Sequence, residues 1–212
     1  MRDWPLKPNS RYRRAVFLDR DGTINVDTHF PYRVESLEFV VGAPTCLKLL
    51  APLPLDIIVV ANQAGIALGL FTQEQMSEFN SELRLRVEHA GGRIDGFYFY
   101  PHLEAKHLPP GLPSCECSKP SPGMLVEAAK DFPLDLSRCF LIGDTTSDIA
   151  AGAAVGCITI LVETGKAGKE EGALPVQPDY FAENLHEAAL IVHSHAKRES
   201  LTEAPMRFGS GS

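Results

Sequence analysis

The chain has 212 residues, of which 44% are hydrophobic and 22% charged, and its formal net charge at pH 7 is −7. This is an ordinary globular composition with enough length for one substantial core, and no apolar run is long enough to span a bilayer. The negative charge repels polyanions and no lysine and arginine cluster indicates a nucleic-acid surface, so we expect neither a nucleic-acid nor a membrane partner. The first residues lack the apolar segment of a secretory signal, which predicts a cytoplasmic location.

Apolar runs and helical spacing alternate along the chain. Residues 1–14 are polar and basic and are predicted to form a loosely held arm, residues 15–196 a single domain, and residues 197–212 a flexible tail. Predicted strands cover residues 15–18, 56–60, 96–100, 139–142 and 158–162. Predicted helices cover residues 43–50, 72–90, 121–131, 147–155 and 184–195. This alternation predicts an α/β fold with a doubly wound parallel sheet.

Two helix starts carry capping signals, and one long segment carries no periodicity. Thr72 and Gln75 match a capping box, and Ser121 is predicted to cap the next helix with Pro122 at its first position. Residues 101–121 contain proline, histidine and cysteine without periodicity, so they are predicted to be a loop, and loops of this length are usually functional.

Two aspartates one residue apart follow the first predicted strand. Asp19 lies at the carboxyl end of this strand, Asp21 follows, and Gly22 allows the backbone to turn sharply behind them. In open α/β sheets ligands bind in the crevice outside the carboxyl ends of the strands, so both acids are predicted to face that crevice. The alternative is that the segment is only a polar turn, because Asp-Gly pairs mark turns in many proteins.

Residues 17–25, FLDRDGTIN, resemble the first motif of the haloacid-dehalogenase superfamily of phosphotransferases. The string is similar to the branch that contains heptose-bisphosphate and histidinol-phosphate phosphatases. The match extends over roughly residues 15–168 and includes segments around Asn62, Lys119 and Asp144. The resemblance implies a Rossmann-like core, and no insert is large enough for a separate cap domain.

The first motif supplies the residue types that phosphoryl transfer by a carboxylate requires. Asp19 is the predicted nucleophile, which attacks phosphorus and forms an aspartyl-phosphate. Asp21 is the predicted general acid and base, because the leaving alkoxide needs a proton and the later water must lose one. Lys119 precedes a helix and matches the third motif, and it is predicted to bind the transferring phosphoryl group.

The acids also predict a magnesium site. Asp144 follows the fourth predicted strand and is expected to hold Mg²⁺ together with Asp19 and the backbone carbonyl of Asp21. Asp148 completes the superfamily's Gly-Asp-x-x-x-Asp pattern and is a further candidate ligand. The alternative for Asp148 is an acid at a helix N-terminus that interacts with the helix dipole.

The chain departs from the family at three positions near the site. Ala61 stands where the second motif has a hydroxyl donor to phosphate, although the backbone N–H of Asn62 is still expected to contribute to substrate binding. Ser118, a candidate substrate-binding residue, and Thr145 stand where the family has an arginine and a lysine. Loss of one donor to a developing charge costs about 10²-fold or more in rate.

The loop at residues 101–121 resembles the branch's structural zinc loop, which is patterned Cys-x-His and then Cys-x-Cys. Tyr100 stands at the first ligand position, so the candidate zinc ligands are His102, Cys115 and Cys117, with His107 as a fourth. The alternative is a metal-free loop. The odd number of cysteines argues against a full disulfide framework, and Cys46, Cys139 and Cys157 are predicted to be buried in the core.

Two classes of function are therefore open. The first is a magnesium-dependent phosphatase acting on a small phosphorylated sugar, most like heptose-bisphosphate phosphatases, with histidinol phosphate as the alternative substrate. The second is a module that binds a phosphorylated ligand with weakened catalysis, which Ala61, Ser118 and Thr145 motivate. The sequence does not predict an oligomeric state.

Overall fold

The computed structural model describes residues 13–102 and 116–202, with side chains described as far as residue 197. Within these residues, six parallel strands form one sheet in the order β3-β2-β1-β4-β5-β6. The strands are β1 (Ala15–Leu18), β2 (Asp56–Asn62), β3 (Gly96–Tyr100), β4 (Phe140–Gly143), β5 (Ile158–Val162) and β6 (Tyr180–Ala182). The predicted α/β fold class is confirmed, and no large cap domain is present in the described part of the chain.

Helices cover both faces of the sheet. They are α1 (Ala43–Leu50), α2 (Ala64–Ala67), α3 (Gln73–His89), α4 (Gly123–Asp131), α5 (Thr146–Ala154) and α6 (Leu185–Thr202). Successive residues of a strand point to opposite faces, so Val16 and Leu18 pack with α1, α3 and α6, whereas Ala15 and Phe17 pack with α4 and α5. None of the described helices has the length and apolar character that a bilayer span requires.

The central strand β1 positions the first motif. All four of its residues are fully buried, and it pairs with β2 on one side and β4 on the other. After β1 the chain forms β2 and β3 on one side of this strand, and it then crosses to form β4, β5 and β6 on the other side. Such a reversal of strand order opens a crevice at the carboxyl ends of the strands, where ligands bind in this class of sheet.

Most predicted elements are confirmed within two residues. The short helix α2 was not predicted, and three further differences concern β6, α4 and α6. The edge strand β6 was not predicted, because Tyr180 and Phe181 are 37% and 59% exposed and give no buried apolar run. The prediction that Ser121 caps α4 was wrong: Pro122 occupies the cap position and no side chain caps the helix. Helix α6 continues past the predicted end at residue 195, as far as Thr202.

Two local predictions from the sequence are confirmed in full. Thr72 and Gln75 form the capping box that begins α3, with each side chain bonded to the other residue's backbone N–H. The cysteines expected in the core are free and buried, and they are Cys46, Cys139 and Cys157.

Candidate active site

A cavity of about 590 Å³ lies at the carboxyl ends of the central strands. Its lining residues lie at the end of β2 and in the segments that follow β1, β2, β3, β4 and β5. They are Asp19, Asp21, Asp27, His29, Phe30, Asn62, Ala64, Leu68, Lys119, Asp144, Thr145, Ser147 and Lys166. The structure thus brings together the acids and the lysine that the sequence predicts for phosphoryl transfer. The candidate Ser118 is buried and is not among these lining residues.

Asp19 is held in place directly after β1. Its backbone N–H donates to the carbonyl oxygen of Ile142 at 2.9 Å, which continues the pairing of β1 with β4. Its side chain is buried, with one oxygen 2.6 Å from the Lys119 ammonium. Burial, together with the charges of Asp148 and Asp21, raises the pKa of Asp19 to about 7, although Lys119 acts in the opposite direction.

Lys119 is buried and uses all three of its donors within the protein. Its Nζ atom lies 2.6 Å from an oxygen of Asp19, 2.6 Å from an oxygen of Asp148 and 2.9 Å from the carbonyl oxygen of Val60. Burial alone would lower the pKa of Lys119, but the two carboxylates raise it above its ordinary value. The lysine is therefore a fixed, charged group beside the predicted nucleophile.

Asn62 fixes the peptide of Lys119. Its side-chain amide donates to the Lys119 carbonyl oxygen at 2.9 Å, and its side-chain oxygen accepts from the Lys119 backbone N–H at 3.0 Å. The sequence predicted a substrate-binding role for the backbone of Asn62 and gave no signal for this pair of bonds. The pair links the end of β2 to the loop before α4 and so fixes the base of the lysine.

Asp144 carries a buried oxygen that has no protein partner. Its Oδ2 atom accepts the backbone N–H of Lys166 at 2.7 Å, whereas Oδ1 is buried without a hydrogen-bond partner among the described residues. Burial, with the charges of Asp19 and Asp148 adding to it, raises the pKa of Asp144 to about 8. An unpartnered buried carboxylate oxygen is costly, so this oxygen is a candidate position for binding a ligand.

Two glycines make room for this carboxylate. Gly22 has a φ of 90°, and a Cβ atom there would lie 2.5 Å from Asp144 Oδ2. Gly165 has a φ of 60°, and a Cβ atom there would lie 2.2 Å from the same oxygen. Both positions therefore require glycine, for their backbone conformation and for the close approach of the carboxylate.

The donors of this cluster fit a magnesium ion. Among the described residues, carboxylate oxygens of Asp19, Asp144 and Asp148 all lie within 4.8 Å of one another. Three buried carboxylates face one buried ammonium, that of Lys119, so the cluster lacks positive charge. Hard oxygen donors and a charge deficit are what Mg²⁺ requires, and the unpartnered oxygen of Asp144 supplies a direct ligand position.

Asp148 has a structural role that involves both of its oxygens. One oxygen accepts the backbone N–H of Thr145 at 3.1 Å and the Thr145 hydroxyl at 2.6 Å, which completes a capping box at the start of α5. The other oxygen is paired with Lys119. These contacts favour the interpretation of Asp148 as a helix N-terminal acid, while its role as a metal ligand stays a prediction.

The carboxylate of Asp21 accepts four hydrogen bonds. The Arg20 guanidinium donates to both oxygens at 2.8 Å, and the side-chain amides of Asn25 and Gln63 each donate to one oxygen at 2.9 Å. A carboxylate offers about four acceptor positions, so the side chain is saturated in this conformation. Acting as a general acid therefore requires Asp21 to give up at least one of these bonds.

Arg20 is fully buried, which the sequence did not reveal. Its guanidinium donates to the side-chain oxygen of Asn80 and the carbonyl oxygen of Pro31, both at 3.0 Å, and lies 4.6 Å from the centre of the Phe79 ring. The residue between two aspartates of a loop is usually exposed, so only the long-range packing of α3 identifies its role. The consequence is a rigid support for Asp21.

The structure describes two of the four candidate zinc ligands. The Nδ1 atom of His102 lies 3.2 Å from the sulfur of Cys117, whereas His107 and Cys115 lie outside the described residues. Cys117 is disulfide-bonded in this structure, and a zinc ligand must be a thiolate. The paired imidazole and sulfur suit zinc only in the reduced form of the protein.

Several known proteins are similar to this chain in sequence. The HAD-hydrolase-like family model matches residues 116–188. The D-glycero-beta-D-manno-heptose-1,7-bisphosphate 7-phosphatase of Yersinia pestis is 35% identical over 159 residues, which cover 74% of this chain and 85% of that protein. The chain belongs to the haloacid-dehalogenase (HAD) superfamily of phosphatases. The enzyme of the same name from Pasteurella multocida is 32% identical to this HAD chain over 182 residues, covering 85% of this chain and 97% of that one.

Solved structures extend the similarity to the HAD fold. The D,D-heptose 1,7-bisphosphate phosphatase from B. bronchiseptica, solved with magnesium and phosphate, has a TM-score of 0.74 and 26% identity, covering 85% of this chain and 98% of that one. A HAD-like phosphatase from Mesorhizobium loti has a TM-score of 0.73 and 30% identity, covering 88% of this chain and 87% of that one.

Proposed function

We propose that this chain is a magnesium-dependent phosphatase that hydrolyses a small phosphorylated sugar through an aspartyl-phosphate intermediate. The observation that carries the proposal is the buried ion pair of Lys119 with Asp19, beside the unpartnered oxygen of Asp144. The names of the curated relatives make D-glycero-beta-D-manno-heptose 1,7-bisphosphate the first candidate substrate, with cleavage at the 7-phosphate. Histidinol phosphate stays the alternative. The cytoplasmic location and the absence of a nucleic-acid partner stay predictions from composition.

In the first step an oxygen of Asp19 attacks phosphorus as the bond to the leaving sugar oxygen breaks. Asp21 donates a proton to that oxygen, and the sugar alcohol leaves. In the second step Asp21 takes a proton from water, which attacks the aspartyl-phosphate and releases inorganic phosphate and free Asp19. The buried ammonium of Lys119 stabilises the negative charge on the transferring group in both steps.

The magnesium ion would be held by Asp19, Asp144 and the backbone carbonyl of Asp21, with Asp148 as a further candidate. When bound, it offsets the charge of the clustered carboxylates so that an anionic phosphate can approach them. The pKa values of Asp19 and Asp144 are raised because these carboxylates are buried without sufficient positive charge. The same lack of positive charge is the reason that the site would need a cation.

The Asp21 side chain must be released from part of its hydrogen-bond network during the reaction. The bonds from Asn25 and Gln63 are single amide contacts, whereas Arg20 binds both oxygens. We therefore expect Arg20 to hold Asp21 throughout while an amide bond is exchanged for a bond to the leaving oxygen. Hydrogen-bond geometry before substrate binding commonly differs in this way from that of the reacting complex.

The activity is tested by assaying the purified protein on heptose 1,7-bisphosphate, histidinol phosphate and para-nitrophenyl phosphate. We expect release of phosphate with added Mg²⁺ and loss of release with EDTA, with the heptose bisphosphate hydrolysed fastest. Absence of phosphate release from all three substrates in the presence of Mg²⁺ would contradict the proposed function. Faster hydrolysis of histidinol phosphate would keep the phosphatase and change its substrate.

The second candidate, a phospholigand-binding module with weak catalysis, is favoured by Ala61. This residue is 3% exposed near the end of β2, where a hydroxyl donor to phosphate is expected. We expect Ala61→Thr to raise kcat by about 10- to 100-fold, because one added donor to the developing charge has about this effect. The matched control is Ala61→Val, which adds similar volume without a hydroxyl. Activity found only in the threonine variant would favour the binding module.

We also propose a structural zinc ion at the loop of residues 101–121, held by His102 and Cys117 with Cys115 and His107. The short distance between the imidazole of His102 and the sulfur of Cys117 supports it. Protein purified under reducing conditions without added zinc is expected to contain about one zinc per chain by elemental analysis. Cys117→Ser should lower that content, and a zinc-free wild-type protein would rule out the site.

A further inference from the structure

Lys166 is a second lysine at the mouth of the active-site cavity, and neither the resemblance nor the reaction above uses it. It lines the cavity, and its side chain is 52% exposed. Among the described residues, Lys166 forms an ion pair with Asp27, whose oxygen lies 3.5 Å from Nζ, whereas Lys119 has two acid partners at 2.6 Å. The Lys166 ammonium is thus held more loosely than that of Lys119.

The backbone that carries Lys166 is tightly fixed to the catalytic elements. The backbone N–H of Lys166 donates to the Asp144 side chain at 2.7 Å, and that of Gly168 donates to the Asp144 carbonyl oxygen at 2.8 Å. Further along, Glu170 accepts the N–H of Thr146 at 2.7 Å, and the Leu174 N–H donates to the Thr146 hydroxyl at 2.8 Å. The base of the side chain is therefore fixed beside the metal ligand, while its long stem stays free to reorient.

Lys166 is the lysine of the cavity whose ammonium is available to bind a further anionic group. The transferred phosphate is met by the predicted metal ion and by Lys119, whose three donors are already engaged. Among the described residues that line the cavity, Lys119 and Lys166 are the two with an ammonium group. Although burial alone would lower the pKa of Lys166, the carboxylates of Asp27, Asp144 and Asp19 raise it, so the group stays charged.

We propose that Lys166 binds a second anionic group of the substrate, remote from the phosphate that is transferred, and so selects bisphosphates over monophosphates. On binding, the ammonium exchanges its long contact with Asp27 for a charge-assisted hydrogen bond to the second phosphate. This inference rests on the proposed phosphatase activity and adds a specificity residue to it. Lys166 would also supply, from a different loop, positive charge that the uncharged side chains of Ser118 and Thr145 do not provide.

The test compares Lys166→Met with the wild type on heptose 1,7-bisphosphate and on heptose 7-phosphate, which lacks the second phosphate. Losing a hydrogen bond to a charged group should lower kcat/KM for the bisphosphate about 10- to 100-fold, mostly through KM, and change it less than about threefold for the 7-phosphate. Lys166→Arg should restore most of the preference. The backbone N–H that binds Asp144 is present in both variants.

Lys169→Met is the matched control, because Lys169 belongs to the same loop, is exposed and does not line the cavity. It should leave the ratio of kcat/KM for the two substrates unchanged. An equal loss for both substrates in Lys166→Met, or a wild type without preference for the bisphosphate, would overturn the inference while leaving a phosphatase. A wild type inactive on every phosphate ester would instead overturn the proposed function itself.

Discussion

Replacing Asp19 with asparagine is expected to lower kcat by about 10⁴-fold or more at saturating Mg²⁺. The amide retains the size of the side chain but cannot form the aspartyl-phosphate, so the two-step reaction has no first step. The residual rate should be measured with para-nitrophenyl phosphate and with heptose 1,7-bisphosphate. Trapping phosphorus on the protein in an acid quench should give a signal for the wild type and none for the variant.

The same variant should remain folded, which separates chemistry from stability. Burial raises the pKa of Asp19 from its ordinary value of 3.8 to about 7, so the metal-free folded protein binds this proton more tightly than the unfolded chain does. The contribution of Asp19 to stability therefore falls as the pH rises from about 4 to 7, and the neutral amide avoids that loss. Asp131→Asn, at an exposed aspartate on α4, is the control and should retain activity. An active Asp19→Asn variant would refute the nucleophile assignment.

Replacing Lys119 with methionine is expected to affect both stability and activity. The change leaves Asp19 and Asp148 buried without their cation, and breaking a buried ion pair in this way costs about 3–5 kcal/mol. Activity should fall by about 10²-fold or more, because the transferring group loses a fixed positive charge. Urea unfolding at several pH values measures the first effect, and we expect the loss to grow with pH, because unpaired buried acids are tolerated only when protonated.

The double variant Lys119→Met with Asp148→Asn distinguishes the two roles of the lysine. Removing one unpaired carboxylate should recover a large part of the lost stability, because fewer buried charges then lack a partner. Activity should stay low, since the double variant still has no ammonium beside Asp19. Recovery of activity together with stability would show that Lys119 acts only by holding the fold together.

The sequence predicted five of the six strands, all except the exposed edge strand β6, and the end of the sheet at which the candidate site residues lie. Asp19 and Asp144 each follow a short apolar run, and the carboxyl ends of neighbouring parallel strands necessarily meet, so their proximity follows from the pattern. Lys119 was located by its motif, since no periodicity places it. Asp19 and Asp144 therefore needed only local sequence and the topology of the sheet, whereas Lys119 also needed the resemblance to the family's third motif.

The supporting contacts could not be predicted in the same way. Arg20 is buried because α3 packs over it, and Asn62 binds the peptide of a residue that is 57 positions away in the sequence. Lys166 reaches the cavity because its loop folds back onto Asp144. Each contact depends on the tertiary arrangement of polar groups, for which hydrophobic spacing carries no signal.

The capping box at the start of α5 has a consequence for how the enzyme loses activity on warming. Asp148 satisfies the backbone of Thr145 and also anchors Lys119, so one carboxylate serves as both the helix's cap and the lysine's counterion. Helix ends are the first parts of a helix to open, by local fluctuations much smaller than global unfolding. Fraying of this single turn would remove one of the two carboxylates that hold Lys119 while the sheet stays intact, so inactivation would precede the loss of secondary structure.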